Sequence, residues 1–95
     1  MISGFEWPSG WRALGEGEAA ATFEAELRRE LSSDHALHGL PASLLARRDD
    51  RDDFLFSLND ARVAQVHLTW RQEHTGEWPK ARIFRDLLEW RSLVG

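Results

Sequence analysis

Apolar residues recur three or four apart between Glu18 and Leu31, at Ala20, Phe23, Leu27 and Leu31. The run EAAATFEAELRREL holds strong helix formers and neither Gly nor Pro, so the spacing predicts a helix over 18–31. Ser32, Ser33 and Asp34 stop it, and Gly39-Leu40-Pro41 marks a turn. Beyond that turn the period falls to two. Three strands are predicted, over 42–48, 54–58 and 63–70. In the last of them Ala64, Val66, Leu68 and Trp70 alternate with Val63, Gln65, His67 and Thr69.

The same alternation selects a register. A two-residue loop would set Phe56 beside Val63 and send the aromatic residues to the polar side. A three-residue connection of Asn59, Asp60 and Ala61 sets Phe56 opposite Ala64 and Phe54 opposite Val66. That joins both Phe residues to Leu68 and Trp70, and a one-residue slip would undo the whole face. Ala61 stands where a Gly is expected after the turn acid, since Ala tolerates positive φ poorly.

Pro79 suits the first turn of a second helix, predicted over 80–93, with Ile83, Phe84, Leu87, Leu88 and Trp90 on a broad apolar face. Residues 1–17 mix Gly4, Pro8, Gly10, Gly15 and Gly17 with Phe5, Trp7 and Trp11. They read as an irregular arm that packs Trp7 and Trp11 onto the body. The expected fold is therefore α+β: a three-stranded antiparallel meander, flanked by an N-terminal and a C-terminal helix. Both helices are expected mainly on the face of Phe54, Phe56, Val66 and Leu68. At 95 residues the chain suits one domain, 1–95.

Composition narrows the classes of function. With 42% hydrophobic and 29% charged residues the chain is ordinary globular material. Cysteine is absent, which removes disulfides, thiolate metal sites and thiol nucleophiles together. No apolar run approaches the length of a membrane span, and the opening MISGFEWPSG lacks a basic region before an apolar one. The expected location is the cytoplasm. A net charge of −4 weighs against nucleic acid, whose phosphates need a basic footprint, although Arg28, Arg29, Arg47, Arg48 and Arg51 offer a local patch. Five Trp and no Tyr point to aromatic anchoring of a small core or of an interface.

Several segments occur together in a specific order: HALHGLP from His35, ARRDDRDDFLF over 46–56, VAQVHLTW from Val63, then Trp78-Pro79, Ile83-Phe84 and Glu89-Trp90. In this order the chain resembles a family of small uncharacterised bacterial proteins over residues 35–90. The resemblance implies a compact bacterial domain and carries over no activity, ligand or catalytic residue.

Candidate chemistry centres on His67. Strand alternation puts it with Gln65 and Thr69 opposite the apolar face, where Ser57 and Arg47 are expected to join them as a ligand- or partner-binding patch. The bland alternative is a solvated face, or one covered by the N-terminal arm. His35 and His38, with Asp34 or an acid of the 49–53 turn, are the weaker metal alternative; their spacing fixes no ligand geometry, and no metal or cofactor is expected. Either histidine serves equally well to hydrogen-bond a turn. Ser57, His67 and an Asp supply the residue types for nucleophilic catalysis, without a nucleophile elbow. The acidic 49–53 turn lacks the calcium-loop pattern, and reads as a solvated tip or as an element steering a basic partner protein, with Trp11, Trp70 or Trp78 as its anchors. The leading expectation is a non-enzymatic protein- or ligand-binding module. The alternative is a small enzyme or metal-binding protein centred on His67 with His35 and His38.

Overall fold

In the computed structural model, which describes residues 6–14, 18–48, 50–70 and 78–94, the period-two segments build more sheet than three strands. The order is β1 (Trp11–Ala13), α1 (Glu18–Glu30), β2 (Ser43–Arg48), β3 (Asp53–Ser57), β4 (Val63–His67), β5 (Lys80–Phe84) and α2 (Leu87–Val94). The strands form one antiparallel sheet in the order β1-β2-β3-β4-β5. The expected three-stranded meander is thus the centre of a five-stranded sheet. Gly15, Gly17, Asp49 and the predicted loop at His74–Gly76 lie outside the described residues.

The outer strands come from segments that were expected to be something else. Trp11–Ala13 is not an irregular arm; it pairs with Arg48, Arg47 and Ala46 of β2. The helix expected over 80–93 is a strand followed by a shorter helix. Lys80, Arg82 and Phe84 face one way and Ala81 and Ile83 the other, in register with His67, Gln65, Val63, Val66 and Ala64. Asp86 then starts α2. Its Oδ1 accepts the Glu89 N–H at 2.8 Å, while Glu89 Oε1 accepts the Arg85 N–H at 2.8 Å, a reciprocal arrangement of the capping-box kind.

The helices also lie on opposite faces of the sheet, not mainly on one. α1 supplies Ala20, Phe23 and Leu27 to a core with Leu44, Phe54, Phe56, Ala64, Val66 and Leu68. α2 brings Trp90 and Leu87 to the other face, where Trp7, Trp11, Ala46, Leu55, Val63 and Phe84 meet them. The cause is visible in β3. Phe54, Leu55 and Phe56 are all fully buried, so this strand is apolar on both sides and both sides need cover.

The central hairpin has the three-residue connection: Phe56 pairs with Ala64, Phe54 with Val66, and the Leu58 N–H donates to Arg62 O at 3.0 Å. Asp60 does locally what a Gly would have done by conformation. Its Oδ1 accepts the Arg62 N–H at 2.9 Å, so Ala61 needs no positive φ. Strand β4 stops at His67, short of Trp70. Among the described residues Trp70 is the one non-glycine with positive φ, +62°.

Candidate functional site

On the α2 face the ladder sets side chains in rows across three strands. Asp53, His67 and Lys80 form one row; Leu55, Gln65 and Arg82 form the next; Ser57, Val63 and Phe84 form the third. The second and third rows run under α2. The first row is open at the edge of that cover. There an open groove of about 420 Å³ is lined by Asp53, Gln65, His67, Lys80, Arg82 and Leu93.

The geometry at the centre of the groove is specific. His67 Nδ1 lies 2.8 Å from Asp53 Oδ1. A carboxylate can only accept, so Nδ1 carries the hydrogen and donates it; in the neutral ring this fixes the tautomer and leaves Nε2 as an acceptor. The two partners differ in exposure: the Asp53 side chain is 12% accessible and that of His67 is 51% accessible. A mostly buried carboxylate therefore orients an imidazole that solvent and ligands can reach.

The cations come from β5. Its alternation turns Lys80 and Arg82 to this face, one strand away from His67 and Gln65. Among the described residues neither has an acidic partner. Their ordered contacts are with rings: Lys80 Nζ sits 5.0 Å from the Trp78 ring centroid and the Arg82 guanidinium 4.9 Å from that of Phe84. Such contacts hold a side chain in place and leave its hydrogen-bond donors available. In a chain of net charge −4, this groove sets two cations, unpaired among the described residues, beside an oriented imidazole.

The residues singled out by sequence fare unequally. Gln65 and His67 share the face as expected, but the Gln65 Oε1 already accepts the Trp90 indole N–H at 2.9 Å and so fastens α2 down. Ser57 shares the face at the far end of β3, four residues from Asp53, or about 13 Å at strand rise. Its Oγ donates to Leu58 O at 3.3 Å. Arg47 is on the opposite face, over the rings of Phe23 and Phe54 at 5.4 and 5.2 Å. Thr69 lies past the end of β4, where its N–H and Oγ1 both bond Glu30 Oε1 of α1. The expected five-residue patch is thus dispersed. Covering of the polar face by α2 and by Trp7 and Trp11 explains why only its His67 end stays open.

The other histidines separate as well. His35 is buried: its Nδ1 accepts the Leu37 N–H at 3.0 Å, so Nε2 donates to Pro79 O at 2.7 Å, beside the cis Trp78–Pro79 bond. Nδ1 thus braces the 31–40 loop internally, and Nε2 ties that loop to the residue before β5. His38 is exposed and lines a different depression with Arg28, Leu31 and Leu40. Among the described residues no three His, Cys, Asp or Glu side chains converge as a metal site would require.

Three residues of the groove were missed by reading the sequence. Asp53 was counted with the acidic turn, yet continuing the hairpin register one pair past Phe54–Val66 places it opposite His67. Lys80 and Arg82 were hidden by the helical reading of 80–93. Of the acidic stretch, the exposed Asp50 pairs with Arg48 Nε at 2.8 Å and Asp52 O accepts the Leu68 N–H. Among the described residues, no helix is long and apolar enough to cross a membrane. The family-like segments over 35–90 stand on their own pattern, for no protein-family model, no curated protein and no solved structure matches the chain.

Proposed function

We propose that this chain is a non-enzymatic binding module of the cytoplasm whose recognition site is the groove of Asp53, His67, Lys80 and Arg82. Its ligand is an anionic group, borne by another protein or by a small polar molecule. The observation that carries this reading is the placement of two cations, without acidic partners among the described residues, beside an imidazole oriented by Asp53. A carboxylate or phosphate seated there receives donors from Lys80 and Arg82, and a hydrogen-bearing ligand atom can donate to His67 Nε2. Binding fits better than catalysis because the hydroxyl nucleophile on this face, Ser57, lies at the other end of the ladder. Nucleic acid fits poorly, since the groove offers two cations on an otherwise acidic chain, too few to track a phosphate backbone.

The test is a chemical-shift titration of the ¹⁵N-labelled protein with inorganic phosphate and with acetate. The amides of His67, Lys80, Ala81 and Arg82 are expected to move saturably, and the double variant K80A/R82A to lose the response. His67→Ala is expected to weaken binding while shifting stability by no more than about 1 kcal/mol, because the imidazole is half in solvent and exposed ion pairs contribute that little. Asp50→Ala, at an exposed pair outside the groove, is expected to change neither quantity. Shifts confined to other parts of the sheet would show that the groove is an ordinary solvated surface.

A further inference from the structure

We infer that the free edge of β5 is a docking strand for an extended acidic segment of another protein, which adds to the sheet as a sixth strand. The inference rests on the anion-binding reading of the same groove and names the class of partner.

The hydrogen-bonding parity of the sheet shows which backbone groups are free. Leu58 N donates to Arg62 O and Leu68 N donates to Asp52 O, so pairs 58/62 and 52/68 are the bonded ones in the β3–β4 ladder. Parity alternates along an antiparallel strand. Ala64 and Val66 therefore bond toward β3, and Val63, Gln65 and His67 bond toward β5, to Phe84, Arg82 and Lys80. On β5 this leaves Ala81 and Ile83 with N–H and C=O directed to the open edge. The next such donor, the Arg85 N–H, is taken by Glu89 Oε1. Among the described residues no strand pairs with this edge, which is two residues long and has a defined end.

Side-chain alternation along this edge sets the chemistry of the occupant. On the groove side it presents Lys80 and Arg82, and on the other side the exposed Ala81 and Ile83, the latter 39% accessible. A complementary antiparallel strand carries acids opposite Lys80 and Arg82 and apolar residues opposite Ala81 and Ile83. Its apolar residues stand at the bonded positions. A second copy of this chain is a poor occupant, because the register with fullest overlap of two β5 strands sets Arg82 directly against Arg82, a like-charge pair. Lysine and arginine on an edge also discourage unwanted pairing, and a peptide titration separates that role from docking.

The probe is the peptide acetyl-VEVEV-amide, titrated into the full chain and followed by chemical shift and by amide hydrogen exchange. Saturable binding with slowed exchange at Ala81 and Ile83 is expected, and K80A/R82A should weaken it roughly fivefold or more. The same peptide N-methylated at the two valines that face those residues should bind far less. Equal binding of the N-methylated peptide would overturn strand addition, leaving only charge attraction. Equal binding of acetyl-VKVKV-amide would overturn the acidic specificity. A concentration-dependent dimer that protects the same amides without peptide would make a second copy the occupant and overturn the proposal. Shifts with phosphate but no protection by the peptide would defeat the edge reading and spare the groove, whereas silence with both would defeat the two together.

Discussion

Replacing Trp90 by alanine is expected to lower the free energy of unfolding by about 3–5 kcal/mol, the range for deleting a fully buried large aromatic side chain. Trp90 has no exposed surface. Its ring meets Trp11 edge-on at 5.0 Å between centroids and Trp7 at 5.8 Å, and its indole N–H satisfies Gln65 Oε1. Alanine removes the ring on which both N-terminal tryptophans rest, and leaves an amide oxygen to find water. Trp90→Phe is expected to cost less, because it keeps a ring and loses the N–H donor. Urea denaturation of the two variants beside Trp78→Ala is the measurement. Trp78 is 40% exposed, so its loss should change stability by far less. Should W90A and W78A unfold at the same urea concentration, the α2 face is not a second core.

The two faces were unequally legible in the sequence, and the reason is physical. On the α1 face the residues of β3 and β4 alternate strictly, and a three-residue loop was the one choice that kept Phe54 and Phe56 with Leu68. On the other face the cover comes from two places far apart in sequence: Trp7 and Trp11 near one end of the chain, and Leu87 and Trp90 near the other. No local period announces such a surface. The 80–93 segment misleads for a further reason. Ile83, Phe84, Leu87 and Trp90 fall at helical spacing, though Ile83 and Phe84 belong to a strand and Leu87 and Trp90 to the helix after it. The residue pair that divides them, Asp86 with Glu89 three positions on, was present as a helix-start signal. Weighting it above the apolar spacing would have released 80–84 as a strand, and with it the Lys80 and Arg82 half of the groove. Asp53 was within reach by one more ladder pair. The role of Glu30 was not. It appears in sequence as one more polar residue of an exposed helical face, and its partners are thirty-nine and forty positions away.

Removing the Glu30 carboxylate is expected to rank with losing Trp90, although Glu30 contributes no apolar core. Its Oε1 accepts the Thr69 N–H at 2.8 Å and the Thr69 hydroxyl at 3.0 Å, and its Oε2 accepts the Trp70 N–H at 2.7 Å. These bonds hold the chain where it leaves β4 and where Trp70 takes its left-handed φ, a conformation costing a non-glycine residue roughly 1–2 kcal/mol. The turn in its place lets the Trp70 ring pack edge-on to Phe23 and Phe54. A backbone donor left without a partner costs about 1–3 kcal/mol, so Glu30→Ala should lose roughly 2–4 kcal/mol, less than twice the upper figure because Trp70 is partly open to water. Glu30→Gln separates charge from shape and adds a pH test. Burial, reinforced by a hydrogen bond with Glu26, raises the Glu30 carboxyl above its ordinary value of 4.5, although the Thr69 and Trp70 donors pull the other way. A carboxyl raised on folding stabilises fully below its unfolded value, and that contribution is lost as pH rises through the folded one. Glu26 is shifted oppositely, held low by its bond to Arg29, so its contribution is lost only below pH 4.5. Denaturant melts of wild type and E30Q from pH 4.5 upward therefore isolate Glu30. The stability of wild type relative to E30Q should fall across the window just above pH 4.5 and then level off. A difference that grows with pH would mean that the ionised carboxylate, bonded to its three donors, is the form the fold prefers.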